Sequence, residues 1–242
     1  NTLNLQPDFV DAHTRLGNIL RDRHQFEEAT LCYRRAVKLK PDFAEAYNSL
    51  GTVLQAQNFL EEAVLYYRHA LALKPDFAEV YNNLGNVLFV QSRPDDALVC
   101  YRYALILKPG FAEAYNNFGN LLKAMFEIEE AEYYYQQAST LQPNLVTAYN
   151  NLADVLYLQG KFVEARLNLH LTTKLDPHNT AYRINRLLLL PLLPRTPQEI
   201  LDSRQRLERN LAYLANQDLH LKDPWKEGVF NNLFFASPAV AD

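Results

Sequence analysis

The chain has 242 residues, 48% of them hydrophobic, and a formal charge of −4 from 24 basic and 28 acidic side chains. It contains no basic block, which argues against nucleic acid as the main partner, since phosphate binding needs clustered Lys and Arg. No apolar run reaches the roughly 20 residues of a membrane span, so no membrane partner is expected. No signal peptide is apparent, and the two cysteines, Cys32 and Cys100, read as free thiols in a cytoplasmic setting.

Self-similarity sets the architecture. Pro7, Pro41, Pro75, Pro109, Pro143 and Pro177 fall 34 residues apart, and Ala29, Ala63, Ala97, Ala131 and Ala165 keep the same step. A fixed period of this size means stacked units, each packing on its neighbours. The clearest copy runs from Asp76 to Pro109. Asp76 and Glu79 have the spacing of a capping box, as do Asp42 and Glu45. The first helix is expected over 77–91, with Tyr81, Leu84, Gly85 and Leu88 on its core side at i, i+3, i+4 and i+7. Glycine inside a helix costs about 1 kcal/mol against alanine. Its return at Gly17, Gly51 and Gly119, with Ala153 in the fifth copy, predicts close backbone approach by the partner helix. The turn falls over 92–95, and Pro94 suits the first position of a second helix. That helix is expected to reach about 107, with Ala97, Tyr101 and Ala104 as its inner stripe, before Pro109 ends it.

Tyr81, Leu84-Gly85, Ala97, Tyr101, Ala104 and Pro109 together resemble a tetratricopeptide repeat. The resemblance implies an all-α, right-handed superhelix (an α-solenoid) of five repeats at 10–43, 44–77, 78–111, 112–145 and 146–179. His13 departs from the pattern in the first repeat, and Leu169 and Thr172 in the fifth. Residues 1–9 resemble the end of a preceding helix, so the array is expected to extend upstream.

After Asn179 the period stops. A helix is expected over 180–190, broken by Pro191 and Pro194, and an amphipathic one over 197–216, opened by the capping box Thr196-Pro-Gln-Glu199. Residues 180–217 read as caps on the open end of the array, and 218–242 as a linker towards a missing C-terminal domain. Leu190-Pro191, Glu199-Ile200, Arg204, Leu207 and Asn232-Leu-Phe-Phe235 resemble the segment joining repeats to catalytic lobes in SPINDLY-type glycosyltransferases, relatives of O-GlcNAc transferase. The repeat text LKPDFAEVYNNLGN at 73–86 looks most like that family's own.

The helix face opposite the core stripe carries three rows of polar residues. One reads Arg15, Ser49, Asn83, Asn117, Asn151; its neighbour reads Thr14, Asn48, Asn82, Asn116, Asn150; a turn later come Asn18, Thr52, Asn86, Asn120, Asp154. Asparagine is a poor helix former, and its amide offers two donors and an acceptor. A row of amides along a concave groove could bond an extended peptide backbone, and the glycosyltransferase resemblance implies this role for Asn83, Asn117 and Asn151. The rival reading is solvated polar filler, or capping between neighbouring helices. No metal-ligand spacing, phosphate loop or Ser-His-Asp set is visible, so no cofactor and no catalysis are expected. The chain therefore reads as a module binding protein or peptide segments, the substrate-recruiting part of an O-linked glycosyltransferase. The alternative is a free-standing scaffold or assembly chaperone. Residues 226–242, apolar in part, are expected to support self-association.

Overall fold

The computed structural model describes residues 6–188 and 196–216, which form two compact units, 1–121 and 122–242. All twelve described elements are helices, and the fold is an all-α solenoid of helix pairs. They are α1 (Gln6–Asp22), α2 (Phe26–Leu39), α3 (Ala44–Ala56), α4 (Leu60–Leu73), α5 (Ala78–Val90), α6 (Pro94–Leu107), α7 (Ala112–Ala124), α8 (Ile128–Leu141), α9 (Val146–Leu158), α10 (Phe162–Leu175), α11 (Thr180–Leu188) and α12 (Pro197–Ala215). In the first unit each of α1 to α5 packs on the next, and the first helices of successive repeats also touch, α1 on α3 and α3 on α5. In the second, α8 through α12 pack in chain order. Residues 6–9, expected to end a preceding helix, instead run straight into α1. Pro7 lies in the first turn, where its missing N–H leaves no bond unmade. The prolines at 191 and 194 and the 218–242 tail, with its 226–242 contact, lie outside the described residues.

The first three helix pairs are each locked by an aromatic ring over a glycine. Tyr33, Tyr67 and Tyr101 are fully buried, and a Cβ built on Gly17, Gly51 or Gly85 would stand 2.7 to 2.8 Å from the matching ring. The glycines therefore admit a side chain of the second helix, not its backbone, which corrects the expected reason while keeping the expected closeness. Ala97, Tyr101 and Ala104 are all fully buried along α6. On α5, Val80 and Val87 are as deeply buried as Leu84 and Leu88, a second apolar edge that the i, i+3, i+4 stripe passes over. It arises because this helix meets both its own partner α6 and the preceding α4.

The turns between paired helices repeat one backbone conformation. His24, Asn58, Ser92, Phe126 and Gly160 take positive φ, of 59°, 66°, 58°, 64° and 77°. In the third repeat Arg93 N–H donates to the Leu88 carbonyl at 2.9 Å and Ser92 N–H to that of Phe89 at 3.0 Å, the paired bonds of a Schellman motif. Arg93 then caps α6 with Pro94 as its first residue.

The capping boxes at Asp42/Glu45 and Asp76/Glu79 do not form. The helices start one residue later than such a box requires, with Phe43 and Phe77 at the cap and no side-chain cap bond. Glu45 and Glu79 instead receive Lys74 and Lys108 at 3.3 and 2.6 Å, from the far end of the same repeat. Each lysine also lies over the phenylalanine just before the next repeat's first helix, 4.5 Å from the rings of Phe77 and Phe111. Cys32 and Cys100 are buried and free, and burial pushes the Cys100 thiol up to about 11, leaving it an inert packing group.

Candidate functional site

The helix faces that carry the asparagine rows belong to α1, α3, α5 and α7 in the first unit and α9 in the second. Within the first unit the rows bond to one another. Asn83 Nδ2 donates to Asn48 Oδ1 at 3.1 Å, and Asn117 Nδ2 to Asn82 Oδ1 at 3.0 Å. Asn82 and Asn116 are buried, at 6% and 7% exposure, whereas Asn83, Asn117 and Asn151 are half-buried. Ser49 and Asn48 are half-buried too, and Arg15 is exposed. So the inner row joins adjacent repeats, and the Asn83 row leans on it. An amide that spends one N–H on its neighbour keeps a second N–H and an acceptor oxygen, so joining repeats does not exhaust its capacity.

The third row has a different task. Tyr33 and Tyr101 hydroxyls donate to Asn18 and Asn86 Oδ1, each at 2.7 Å, and the Tyr67 hydroxyl meets Thr52 Oγ1 at 3.3 Å and Gln55 Oε1 at 2.9 Å. Asn18 and Asn86 therefore satisfy buried phenols. Burial holds the Tyr101 hydroxyl far above its ordinary pKa, as a neutral donor. Asn120, half-buried in α7, keeps the same place on its helix. The signal was present in the text: each such residue precedes a tyrosine by 15 places.

The second unit breaks the pattern. Asp154 stands at the Asn86 position, and Leu169 replaces the tyrosine 15 residues on. Lys123 meets the Asp154 carboxylate at 3.3 Å, with side-chain exposures of 28% and 14%. Burial raises the carboxyl pKa, and the Lys123 ammonium works against that rise. One turn before Asp154, Asn150 Oδ1 is shut off from solvent without a hydrogen-bond partner. In the first unit such an oxygen accepts from an asparagine 35 residues on; here that residue is Asn185, buried in α11. Thr180-Ala-Tyr182 repeats Thr147-Ala-Tyr149 after 33 residues, not 34. A one-residue slip turns a helical side chain by about 100°, which takes the donor away. Beyond Asp154, Tyr157 is buried and Leu158 is 47% exposed.

Among the described residues no cluster of His, Cys, Asp and Glu could hold a metal, and no helix is long and apolar enough to cross a membrane. No curated protein matches the chain. Among solved structures the chain is similar to PilF of Pseudomonas aeruginosa, at 24% identity and a TM-score of 0.72, over 86% of this chain and 91% of that one. It is also similar to PilW, a type IV pilus biogenesis factor, at 23% identity and a TM-score of 0.73, over 86% and 93%. YrrB, described as a repeat protein with an unusual peptide-binding site, matches at 23% identity and a TM-score of 0.52, over 69% and 86%. Models of the TPR repeat match residues 17–58 and 56–92, and further models of the tetratricopeptide repeat match 78–111, 111–141 and 145–170. The chain belongs to the tetratricopeptide-repeat family.

Proposed function

We propose that this chain is a non-catalytic interaction module that holds an extended peptide segment against the asparagine-bearing helix faces. The observation that carries the reading is the amide pairing of Asn83 with Asn48 and of Asn117 with Asn82. It fixes Asn83 and Asn117 at half-buried places, each with hydrogen-bonding capacity left over. Amides fixed at one interval suit the repeating N–H and C=O groups of an extended chain, which they bond regardless of side chains. The peptide-binding site named for YrrB supports the same class of ligand.

The finer reading is recruitment of protein substrates to an attached O-linked glycosyltransferase, and it rests on the LKPDFAEVYNNLGN text at 73–86 and on the tail residues near 190–207 and 232–235. A free-standing repeat scaffold is the second reading. It has its own support: the matches span 91% and 93% of PilF and PilW, so the repeats are nearly the whole of those chains. A cytoplasmic location fits the free thiols under either reading.

Peptide-array binding tests the module. Wild type should retain extended peptides of varied sequence, and the double variant Asn83→Ala, Asn117→Ala should lose about tenfold or more in affinity, the effect of two hydrogen bonds. Equal retention by wild type and variant, with both folded, would overturn the groove reading. Fusion of the natural C-terminal sequence followed by a sugar-transfer assay separates the two finer readings.

A further inference from the structure

The outer face of α10 is apolar where the other second helices start with a charge. Val163, Leu167 and Leu171 follow one another at i, i+4 and i+8, and Leu175 continues the row. All four are exposed, at 59%, 60%, 38% and 40%. At the Val163 place the other second helices carry Glu27, Glu61, Asp95 and Glu129. An acid in the first turn is favoured by the helix dipole, so folding alone does not account for Val163. The inner side of α10 is apolar too, with Ala165 and Leu169 buried. A helix that is apolar on both sides belongs under cover.

Beside that row runs a second one, Arg166, His170 and Lys174, at the same four-residue steps. Arg186 of α11 reaches into it, with its Nη1 at 3.3 Å from His170 Nδ1. Arginine has only donors, so the ring nitrogen accepts, and the charge at that point is the guanidinium's. On α12, Arg206 is held below its ordinary pKa, first by burial and then by the charges of Arg166 and Arg209. Cations from three helices thus gather beside the apolar row, in a chain whose net charge is −4. Among the described residues neither Arg166 nor Lys174 has an ion-pair partner. The single acid of α10, Glu164, begins the other flank. Crowded like charges favour an anionic partner over more of their own sign.

We propose that the outer face of α10 docks an amphipathic helix of a partner protein, one whose apolar ridge is flanked by Asp or Glu. The ridge lies along Val163, Leu167 and Leu171, and the acids meet Arg166, Lys174 and the Arg186 charge at His170. Side-chain rows at four-residue steps are the ridges by which two helices pack, so a helix matches this surface in shape as well as in charge. The row from 163 to 175 is roughly 18 Å long, about three turns of a docked helix. The surface lies wholly within the second unit and on a helix that carries none of the asparagine rows, so it stands apart from the groove reading.

The test uses the full chain and a blocked, dye-labelled helix-forming peptide of about 16 residues, with leucine at every fourth place and glutamate on both flanks. A counterpart carries lysine for every glutamate. By fluorescence anisotropy, wild type should bind the glutamate peptide about tenfold or more tightly than the lysine peptide. Leu167→Ser should weaken the glutamate peptide by about tenfold, the effect of one leucine no longer covered. Arg166→Glu should narrow the preference between the peptides, and it keeps the idea testable if Leu167→Ser unfolds, which circular dichroism reports. The double variant Asn83→Ala, Asn117→Ala should leave this binding within about twofold, which separates the surface from the groove. Equal binding of the two peptides, binding of neither, or binding unmoved by Leu167→Ser or by Arg166→Glu overturns the proposal. So does a loss of binding in the asparagine variant. Two outcomes overturn it in favour of another occupant. One is a dimer in light scattering that Leu167→Ser dissociates, and the other is a wild type that sediments with phosphatidylserine vesicles but binds neither peptide.

Discussion

The third and fifth repeats close the same helix pair with different sets of residues. In the third, the missing Cβ of Gly85 admits the Tyr101 ring, and the ring's hydroxyl ends on Asn86. In the fifth, Ala153 and Leu169 occupy those places, both buried at 1% exposure, and Asp154 stands where the hydroxyl acceptor was. The three positions change together because they are one physical contact. A larger floor admits only a smaller lid, and a lid without a hydroxyl needs no acceptor; Asp154 meets Lys123 instead.

Gly85→Leu attacks this contact hardest. It drives four heavy atoms into the Tyr101 ring and should cost about 1–3 kcal/mol, the usual range for overpacking. An unfolding midpoint equal to wild type would mean the ring has somewhere else to go. Transplanting the fifth repeat's solution into the third sharpens the point. Gly85→Ala and Tyr101→Leu should each destabilise alone. Together they should cost less than their sum by about 1 kcal/mol, within the range seen for residues in contact. Strict additivity in that cycle would separate ring from glycine.

A second contrast lies wholly within the second unit. Phe126 and Gly160 hold the same left-handed turn position, at φ 64° and 77°, yet Phe126 is 87% exposed. Its ring is not buried deeply enough to offset the backbone strain. Phe126→Gly should therefore stabilise by about 1 kcal/mol, and Gly160→Phe should lose a similar amount. Chemical denaturation of the two single variants decides the matter; shifts of the same sign would contradict a shared strained turn.

The smallest effect belongs to Glu79. The hydrogen bond from Lys108 holds its carboxyl below the ordinary value of 4.5, with burial acting the other way. A depressed folded pKa gives stability that is present above the unfolded value and lost as pH falls through the folded one, so the pair matters only above about that range. Both partners are over 40% exposed, and Glu79→Gln should cost no more than a few tenths of a kcal/mol at neutral pH. A larger loss, or one that grows on acidification, would show that the pair is doing more than a surface contact.

How far the sequence could be read followed from what each residue touches. The repeat length, the helix pairs and the Ala97–Tyr101–Ala104 stripe were legible because packing imposes a period on apolar residues. The Asp76/Glu79 box misled, because a capping pair and an ion pair look alike in one dimension: Glu79 is matched by Lys108, 29 residues away. The positive-φ turn stayed hidden for a related reason. Only one of its five occupants, Gly160, is the residue that favours it, since the helix ends on either side impose the conformation. The asparagine rows were visible as text, but their division of labour was not. Whether an amide faces a neighbour or a phenol depends on rotation about the helix, which spacing alone does not separate from solvent exposure.

The ring-over-glycine lock closes within a single repeat, and this bears on how such a chain can change over generations. Tyr67 needs only Gly51, and Tyr101 only Gly85, so neither lock is cut when a neighbouring repeat is lost or doubled. The lysine at the end of each repeat meets an equivalent ring: Lys40 meets Phe43 as Lys74 meets Phe77. Excision of 43–76 would present Lys40 with Phe77, the same partner under another number. Recombination in whole periods thus leaves every junction chemically familiar, while an insertion of any other length breaks it. Array length becomes a variable that inheritance can adjust without redesigning a single contact.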